Sequence, residues 1–298
     1  MSHFTVAVIT EGRPTNEKIE EMLAPYDENL EVITYTSKQE AIDWERKEIL
    51  EYKERVYDKY LADKEGYSMG ASKEHIAYLE EEFPEKLTYN DEQLYEQFIK
   101  DGCYGSEDIM EDGSLRNRYN PKSKWDWYQI GGRWCGLLYI KRGGEGFTGK
   151  PSWTYEDIDD PWESKSEEYV CVDGARIKDL VFPEDEEEAK RAARFWELYI
   201  EGQEPVSEED KEMIKFVFYT KEYYLEQYQT KENYIKAQTM FTTFAVITKD
   251  GEWHEKGKMG WWGCVSDEDT MGWIEGYNKI VFEDAGDDDW ITIVDCHI

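Results

Sequence analysis

Lys124-Trp-Asp-Trp-Tyr-Gln-Ile-Gly-Gly-Arg-Trp-Cys-Gly-Leu-Leu138 carries three tryptophans, a tyrosine, an acid, an arginine and a glycine pair within fifteen residues. Trp125, Trp127 and Gln129 alternate with Asp126, Tyr128 and Ile130. That is the period of a strand, and aromatic residues suit a pleated, half-buried surface. Gly131 and Gly132 then break the strand as a bulge, a tight turn or a close approach of another backbone. Arg133 follows the break, and residues 134–140 read as a second apolar run. The stretch therefore predicts a β-hairpin over 125–140 whose indoles Trp125, Trp127 and Trp134 fill a core, with Arg133 paired to Asp126. A competing reading makes Asp126, Arg133 and the indoles a ligand site.

Outward from this centre, residues 4–10 (FTVAVIT) form a β-branched strand, and residues 244–248 (FAVIT) echo residues 6–10 closely. Residues 290–297 (WITIVDCH) read as a closing strand. All three are expected to share one sheet with the hairpin. Thr15 or Asn16 can cap a short helix through Leu23. Residues 30–36 alternate as another strand, giving a strand–helix–strand opening. Ser37 and Glu40 form a capping box for a long helix running to about Asp63. Further helices are expected at 72–82 and 91–100, all thinly apolar, as an inserted helical layer without a second core. Pro183 suits the first turn of a helix ending near Gly202. A second helix begins near Ser207 and carries Phe216, Phe218, Tyr219, Tyr223, Tyr224, Tyr228 and Tyr234. Residues 249–251 signal a turn, and 267–282 a helix. The economical architecture is an α+β fold whose discontinuous, ferredoxin-like core spans 1–36, 120–182 and 240–298. Two helical insertions, 37–119 and the hairpin 183–239, interrupt it.

Formal charge is 35 minus 68, or −33. Direct nucleic-acid binding needs lysines and arginines to neutralise phosphates, so this balance excludes it. It favours a basic partner, or solubility through self-repulsion. Residues 184–188 are five acids in succession, and residues 283–289 hold five more. Disorder does not follow, because aromatic residues make up 15% of the chain, enough to build cores. There is no run of eighteen apolar residues and no basic-then-apolar leader, so neither a membrane span nor a secretory signal is expected. Five dispersed cysteines (Cys103, Cys135, Cys171, Cys264, Cys296) without a C-x-x-C pair point to free thiols in a reducing cytosol.

Catalytic signatures are absent: no P-loop, no G-x-G-x-x-G after a strand, no G-x-S-x-G, no H-E-x-x-H. No cofactor is implied. Four histidines remain, His3, His75, His254 and His297. A zinc set of His254, Cys264, Asp295, Cys296 and His297 fails on spacing, since neighbours on a strand point to opposite faces. No metal is expected. The enzyme alternative is a small-molecule or metal-dependent site centred on Asp126, Arg133, His254 and His297. The structural reading assigns Trp253, Trp261 and Trp262 to cores along with the three indoles of the hairpin.

Three segments, residues 120–134 (NPKSKWDWYQIGGRW), 251–263 (GEWHEKGKMGWWG) and 294–297 (VDCH), carry a resemblance. They resemble a set of phage and bacterial proteins, and length, acidity and layout are similar to the phage-encoded Gabija anti-defence proteins. The resemblance implies a non-enzymatic inhibitor in the cytoplasm of an infected bacterium. Such a protein oligomerises around a bacterial defence nuclease complex with a basic DNA-binding surface and stops it from engaging DNA. It offers no catalytic residues to carry over. The aromatic positions Phe216, Tyr219, Tyr223, Tyr224 and Tyr228 are then the expected contacts with the partner or with further copies.

Overall fold

A computed structural model describes residues 2–152, 166–260 and 265–298. The chain is α+β and divides into two compact units, residues 1–28 with 122–298, and residues 29–121.

In the first unit, eight strands of the described residues form one sheet: β1 (His3–Thr10), β2 (Trp127–Gly132), β3 (Gly146–Phe147), β4 (Lys150–Pro151), β5 (Gly174–Arg176), β6 (Ala245–Ile247), β7 (Trp253–Glu255) and β8 (Trp290–His297). Its order is β7-β6-β1-β8-β2-β4, with β5 also on β8 and β3 on β5. The β1–β8 pair runs antiparallel through all eight residues, from His3 opposite His297 to Thr10 opposite Trp290. On its other edge β8 pairs with β5 near its start and with β2 near its end. A strand paired on both edges and covered on both faces needs apolar side chains on both, and Ile291, Ile293 and Val294 supply them, with Thr292 the polar exception within residues 291–294.

One face presents Phe4, Val6, Val8, Val294 and Cys296 to Ile19, Met22 and Leu23 of α1 (Asn16–Leu23), which Thr15 caps. The other presents Ala7, Ile9, Ile291 and Ile293 to Trp273, Tyr277 and Val281. Trp273 and Tyr277 lie on a helix, Thr270–Asn278, capped by Asp269. The element sequence β-α-β-β-α-β of a ferredoxin-like core is visible in β1, α1, β2, β6, this helix and β8. The pairing differs. A ferredoxin-like sheet centres on its parallel pair, whereas here the antiparallel β1–β8 pair is central and the parallel β1–β6 pair lies beside it.

The expected hairpin over 125–140 does not form. Its first half is β2, but Leu138–Lys141 pairs with Leu180–Val181 and Tyr169–Val172 in a separate three-stranded sheet. Gly131 and Gly132 adopt positive φ (80° and 58°) and turn the chain away from β2 instead of back along it.

The expected helical hairpin at 183–239 is four helices: α2 (Glu186–Tyr199), α3 (Glu208–Met213), α4 (Lys221–Tyr228) and α5 (Lys231–Thr239). The first helix begins at Glu186 with Asp185 as its cap, so Pro183 precedes the helix instead of standing in its first turn. Thr220 and Thr230 cap α4 and α5, and Gln229 at φ 63° separates them. These caps divide what reads as one long aromatic helix.

The second unit opens with the strand Thr34–Thr36, so the strand–helix–strand order of the opening is present, but this strand is shorter than expected and pairs with Leu115–Asn117. Its helices Lys38–Tyr52 and Asp91–Asp101 each begin with a complete capping box, Ser37 with Glu40 and Asn90 with Gln93. Ala41, Ile42, Ile49, Phe83, Leu94, Tyr95 and Leu115 pack into a core. The expectation of a helical layer without its own core is thus corrected: Tyr and Phe rings supply the burial that sparse aliphatic residues do not. Among the described residues no helix is long and apolar enough to cross a membrane.

Candidate functional site

At one end of the large sheet the apolar face gives way to polar side chains. His3 and His297 are direct cross-strand partners, so their rings share a face. The rings stand 4.9 Å apart at 70°, and Trp127, opposite His297 on β2, lies 6.0 Å from His3. Each imidazole meets a carboxylate through Nδ1: His3 with Asp295 Oδ1 at 2.8 Å, His297 with Asp126 Oδ1 at 2.5 Å. With the proton on Nδ1, each lone pair falls at Nε2, the arrangement that suits an imidazole to accept a proton or ligate a metal. Nε2 of His297 is buried and meets no hydrogen-bond partner. The group is largely covered: His3 and His297 side chains are each 14% exposed.

Of the residues expected at a polar site, the structure unites Asp126 and His297. It adds His3 and Asp295. Arg133 does not pair with Asp126; its backbone N–H donates to Asp295 Oδ2 at 2.9 Å, and its Nε is buried without a hydrogen-bond partner. His254 is exposed on β7, opposite Val246 of β6. That is three strand spacings from β8, about 14 Å at the usual inter-strand distance. Cys296 faces the opposite side, where burial and then the Asp295 charge push its thiol pKa up. Among the described residues no three His, Cys, Asp or Glu side chains gather to hold a metal. The sequence signal for His3 was its register: antiparallel pairing of the first and last strands sets it against His297.

The glycine pair belongs to a scaffold. Asp295, fully buried, holds the N–H of Arg133, and Asp173, also fully buried, accepts from Gly136 N at 2.6 Å and Gly149 N at 2.7 Å. A Cβ on Gly132 would stand 2.3 Å from Asp295 Cβ, and one on Gly131 2.9 Å from Asp173 Oδ2. Two buried carboxylates thus clamp the backbone after β2, and glycine is what lets that backbone approach. The indoles divide. Trp125 is buried and donates through Nε1 to Leu23 O at 3.1 Å, whereas Trp127 is 44% exposed. Trp134 and Trp253 are partly buried against the two cores. Trp261, Trp262 and Cys264 lie outside the described residues.

The aromatic segment also divides. Tyr224 and Tyr228 lean on Tyr234 and, with Phe195, cover the small core of Ala192, Trp196 and Tyr234. Tyr219 and Tyr223 stack with ring centroids 4.1 Å apart, and burial with the Glu268 charge pushes the Tyr223 hydroxyl up to about 12. Phe216 and Phe218, in the connection between α3 and α4, are 77% and 94% exposed, and Tyr219 is 53% exposed. Glu208, Glu209, Glu212 and Glu222 flank them in sequence and are exposed. Of the expected contact residues, Phe216 and Tyr219 are exposed, Tyr223 stacks on Tyr219, and Tyr224 and Tyr228 are committed to packing; Phe218, outside that expected set, is exposed as well.

No family model, no curated protein and no solved structure matches the chain.

Proposed function

We propose that the protein acts by binding and occlusion, as the phage anti-defence proteins it resembles imply, with a bacterial DNA-targeting nuclease complex of the Gabija kind as its target. The carrying observation is the pair of phenylalanines, Phe216 and Phe218, held almost wholly in water between two acidic helices. Rings left exposed in this way are the anchors that dominate protein interfaces, commonly at about 2 kcal/mol or more each. The −33 charge supplies the complement to a basic DNA-handling surface and speeds encounter. It does not by itself hold a complex, since screening at physiological salt acts over about 8 Å. On this reading the acidic surface stands where phosphates would, and no step of bond chemistry is required.

The test is co-purification with a purified Gabija-type nuclease complex, combined with its DNA cleavage. The expected result is a stable complex and lost cleavage for the unchanged protein, and neither for Phe216→Ala/Phe218→Ala. Raising salt should slow association more than it speeds dissociation. Undiminished inhibition by the double variant would overturn the assignment of the contact, and absence of any complex would overturn the reading.

A second reading rests on the paired imidazoles. His3 and His297, each oriented by a carboxylate, have the geometry of a general acid–base pair. It predicts that His297→Ala removes activity from a folded protein that still binds its partner.

A further inference from the structure

A second feature of the sheet-bearing unit has no place in the fold or in the aromatic contact. Beside the start of α2 lies an open pocket of about 940 Å³. Five rings wall it: Tyr139, Tyr169, Phe182, Phe241 and Phe282. They are arranged around one another, Tyr139 on Tyr169 at 5.3 Å and 81°, Phe182 on Phe241 at 5.8 Å and on Phe282 at 5.3 Å. Phe182 is nevertheless 50% exposed, so the aromatic wall faces water rather than closing on itself. The rim is acidic, formed by Glu184, Asp185 and Glu186, and no lysine, arginine or histidine lines the pocket among its described residues.

On α2 itself the acids are matched, Glu186 of the rim included. Lys190 reaches Glu186 and Glu187, and Arg191 reaches Glu188. Glu184 and Asp185 form no such ion pair among the described residues. Asp185 accepts the N–H of Glu188 as the helix cap, which fixes its carboxylate beside the pocket mouth. Its charge also acts on Tyr139: burial raises that hydroxyl's pKa most, followed by Cys171, Tyr169 and Asp185.

The physical combination is specific. Ring faces carry negative quadrupole density and attract a cation held over them, weakly in water and more strongly when it is desolvated. Lysine and arginine stems lie favourably along apolar walls while their charged heads remain at a polar rim. An anionic ligand would meet the unmatched carboxylates of Glu184 and Asp185, and a neutral apolar ligand would gain nothing from them. The pocket opens at the surface, so a side chain can enter while its backbone stays outside.

We propose that this pocket receives a lysine or arginine side chain presented by the basic partner. The rings take the stem and one face of the cation, and Glu184 and Asp185 take its charge. This rests on the binding reading above and names one of the chemical groups that reading requires.

The test is a titration of the full chain with an acetylated, amidated Gly-Lys-Lys-Gly peptide, followed by aromatic NMR shifts. Its norleucine counterpart and spermidine serve as the other two probes. The lysine peptide should bind saturably, the norleucine peptide at least about tenfold more weakly, a difference worth about 1.4 kcal/mol. Asp185→Asn keeps the helix cap, because asparagine caps as well as aspartate, and Phe182→Ala trims a half-exposed ring. Each should weaken lysine-peptide binding about tenfold at an unchanged melting temperature. Equal binding of the norleucine peptide, indifference to both variants, or binding of spermidine without the peptide would each overturn the proposal. Inhibition of the nuclease unimpaired in both pocket variants would also overturn it while leaving the occlusion reading standing. Should the unchanged protein form no complex, the occlusion reading fails, and the peptide titration still decides the pocket's chemistry.

Discussion

Residues 125–134 and residues 216–228 are alike in ring density and opposite in fate. In the first, Trp125 is sealed under α1 with its indole N–H on Leu23, and the backbone beyond it is pinned to the buried Asp295 and Asp173. In the second, Phe216 and Phe218 stand in water on a connection between short helices. Hydrophobicity does not separate them. What does is whether a buried polar partner fixes the backbone nearby. A carboxylate that accepts two or three backbone N–H groups cannot be left unpaired without cost, so it holds its segment in one conformation. The Phe216 connection is held at its far end, by the Thr220 cap and by Tyr199 Oη donating to Tyr219 O at 2.8 Å, and among the described residues no buried carboxylate holds it.

The sharpest way to break this comparison is to exchange tryptophans two residues apart. Trp125→Ala should destabilise by about 3–5 kcal/mol, the usual range for a buried indole. Trp127→Ala, at a side chain 44% exposed, should cost less than about 1 kcal/mol. Urea midpoints of the two variants measure the difference, and equal midpoints would mean that the sheet end is not packed as described.

Next in size is the clamp. Gly132→Ala places a Cβ against Asp295 at a positive φ, adding backbone strain to overpacking, together about 2–4 kcal/mol. The same substitution at Gly251, also at positive φ but with nothing within 4 Å of the new Cβ, should cost only the strain, about 1 kcal/mol. Chemical denaturation of both separates close approach from conformational strain.

Smaller still is the stability effect at the aromatic connection. Phe216→Ala with Phe218→Ala should change stability by no more than about 0.5 kcal/mol, as exposed substitutions usually do. A loss of several degrees in melting temperature would show that these rings are packed and would remove them from the contact set. Substituting Tyr224 and Tyr228 instead should destabilise, since both rings cover Tyr234.

Much of the fold was legible because its strands are apolar on both faces: residues 4–10, 244–248 and 290–297 do share a sheet. The second half of the presumed hairpin was misplaced because alternation reports a strand but not its neighbour. The clamp that diverts it depends on Asp173 and Asp295, which are remote from Gly131 in sequence. The long aromatic helix expected from Ser207 divides because Thr220 and Thr230, which read as ordinary polar positions within a helical period, each accept an N–H as a cap. At the polar end of the sheet, Asp126 and His297 could be singled out as reactive residue types. Their pairing with each other, and the exclusion of His254, depend on strand order, which composition does not carry.

The smallest effect concerns how the exposed rings are carried. Helix α3, which leads into the Phe216 connection, is tied to α2 by Arg194 and Asp210, with Nη2 to Oδ2 at 2.6 Å and Nε to Oδ1 at 3.0 Å. The Arg194 guanidinium, followed by the Val206 N–H, holds the Asp210 carboxyl well below the usual carboxylate range. A depressed folded pKa contributes stability that is present above the unfolded value, about 3.9 for aspartate, and is lost as pH falls from there through the folded value. The attachment of α3 should therefore persist unchanged from neutral pH to about pH 4 and weaken only below it. Hydrogen exchange of residues 206–213 across that range would follow it. Asp210→Asn should abolish the pH dependence in this segment and raise its exchange at neutral pH, while the exchange of β1 and β8 stays as it was. If instead the segment and the sheet lose protection together, α3 is not a separately held element, and the Phe216 connection is as firmly fixed as the Asp295 clamp with which it has been contrasted.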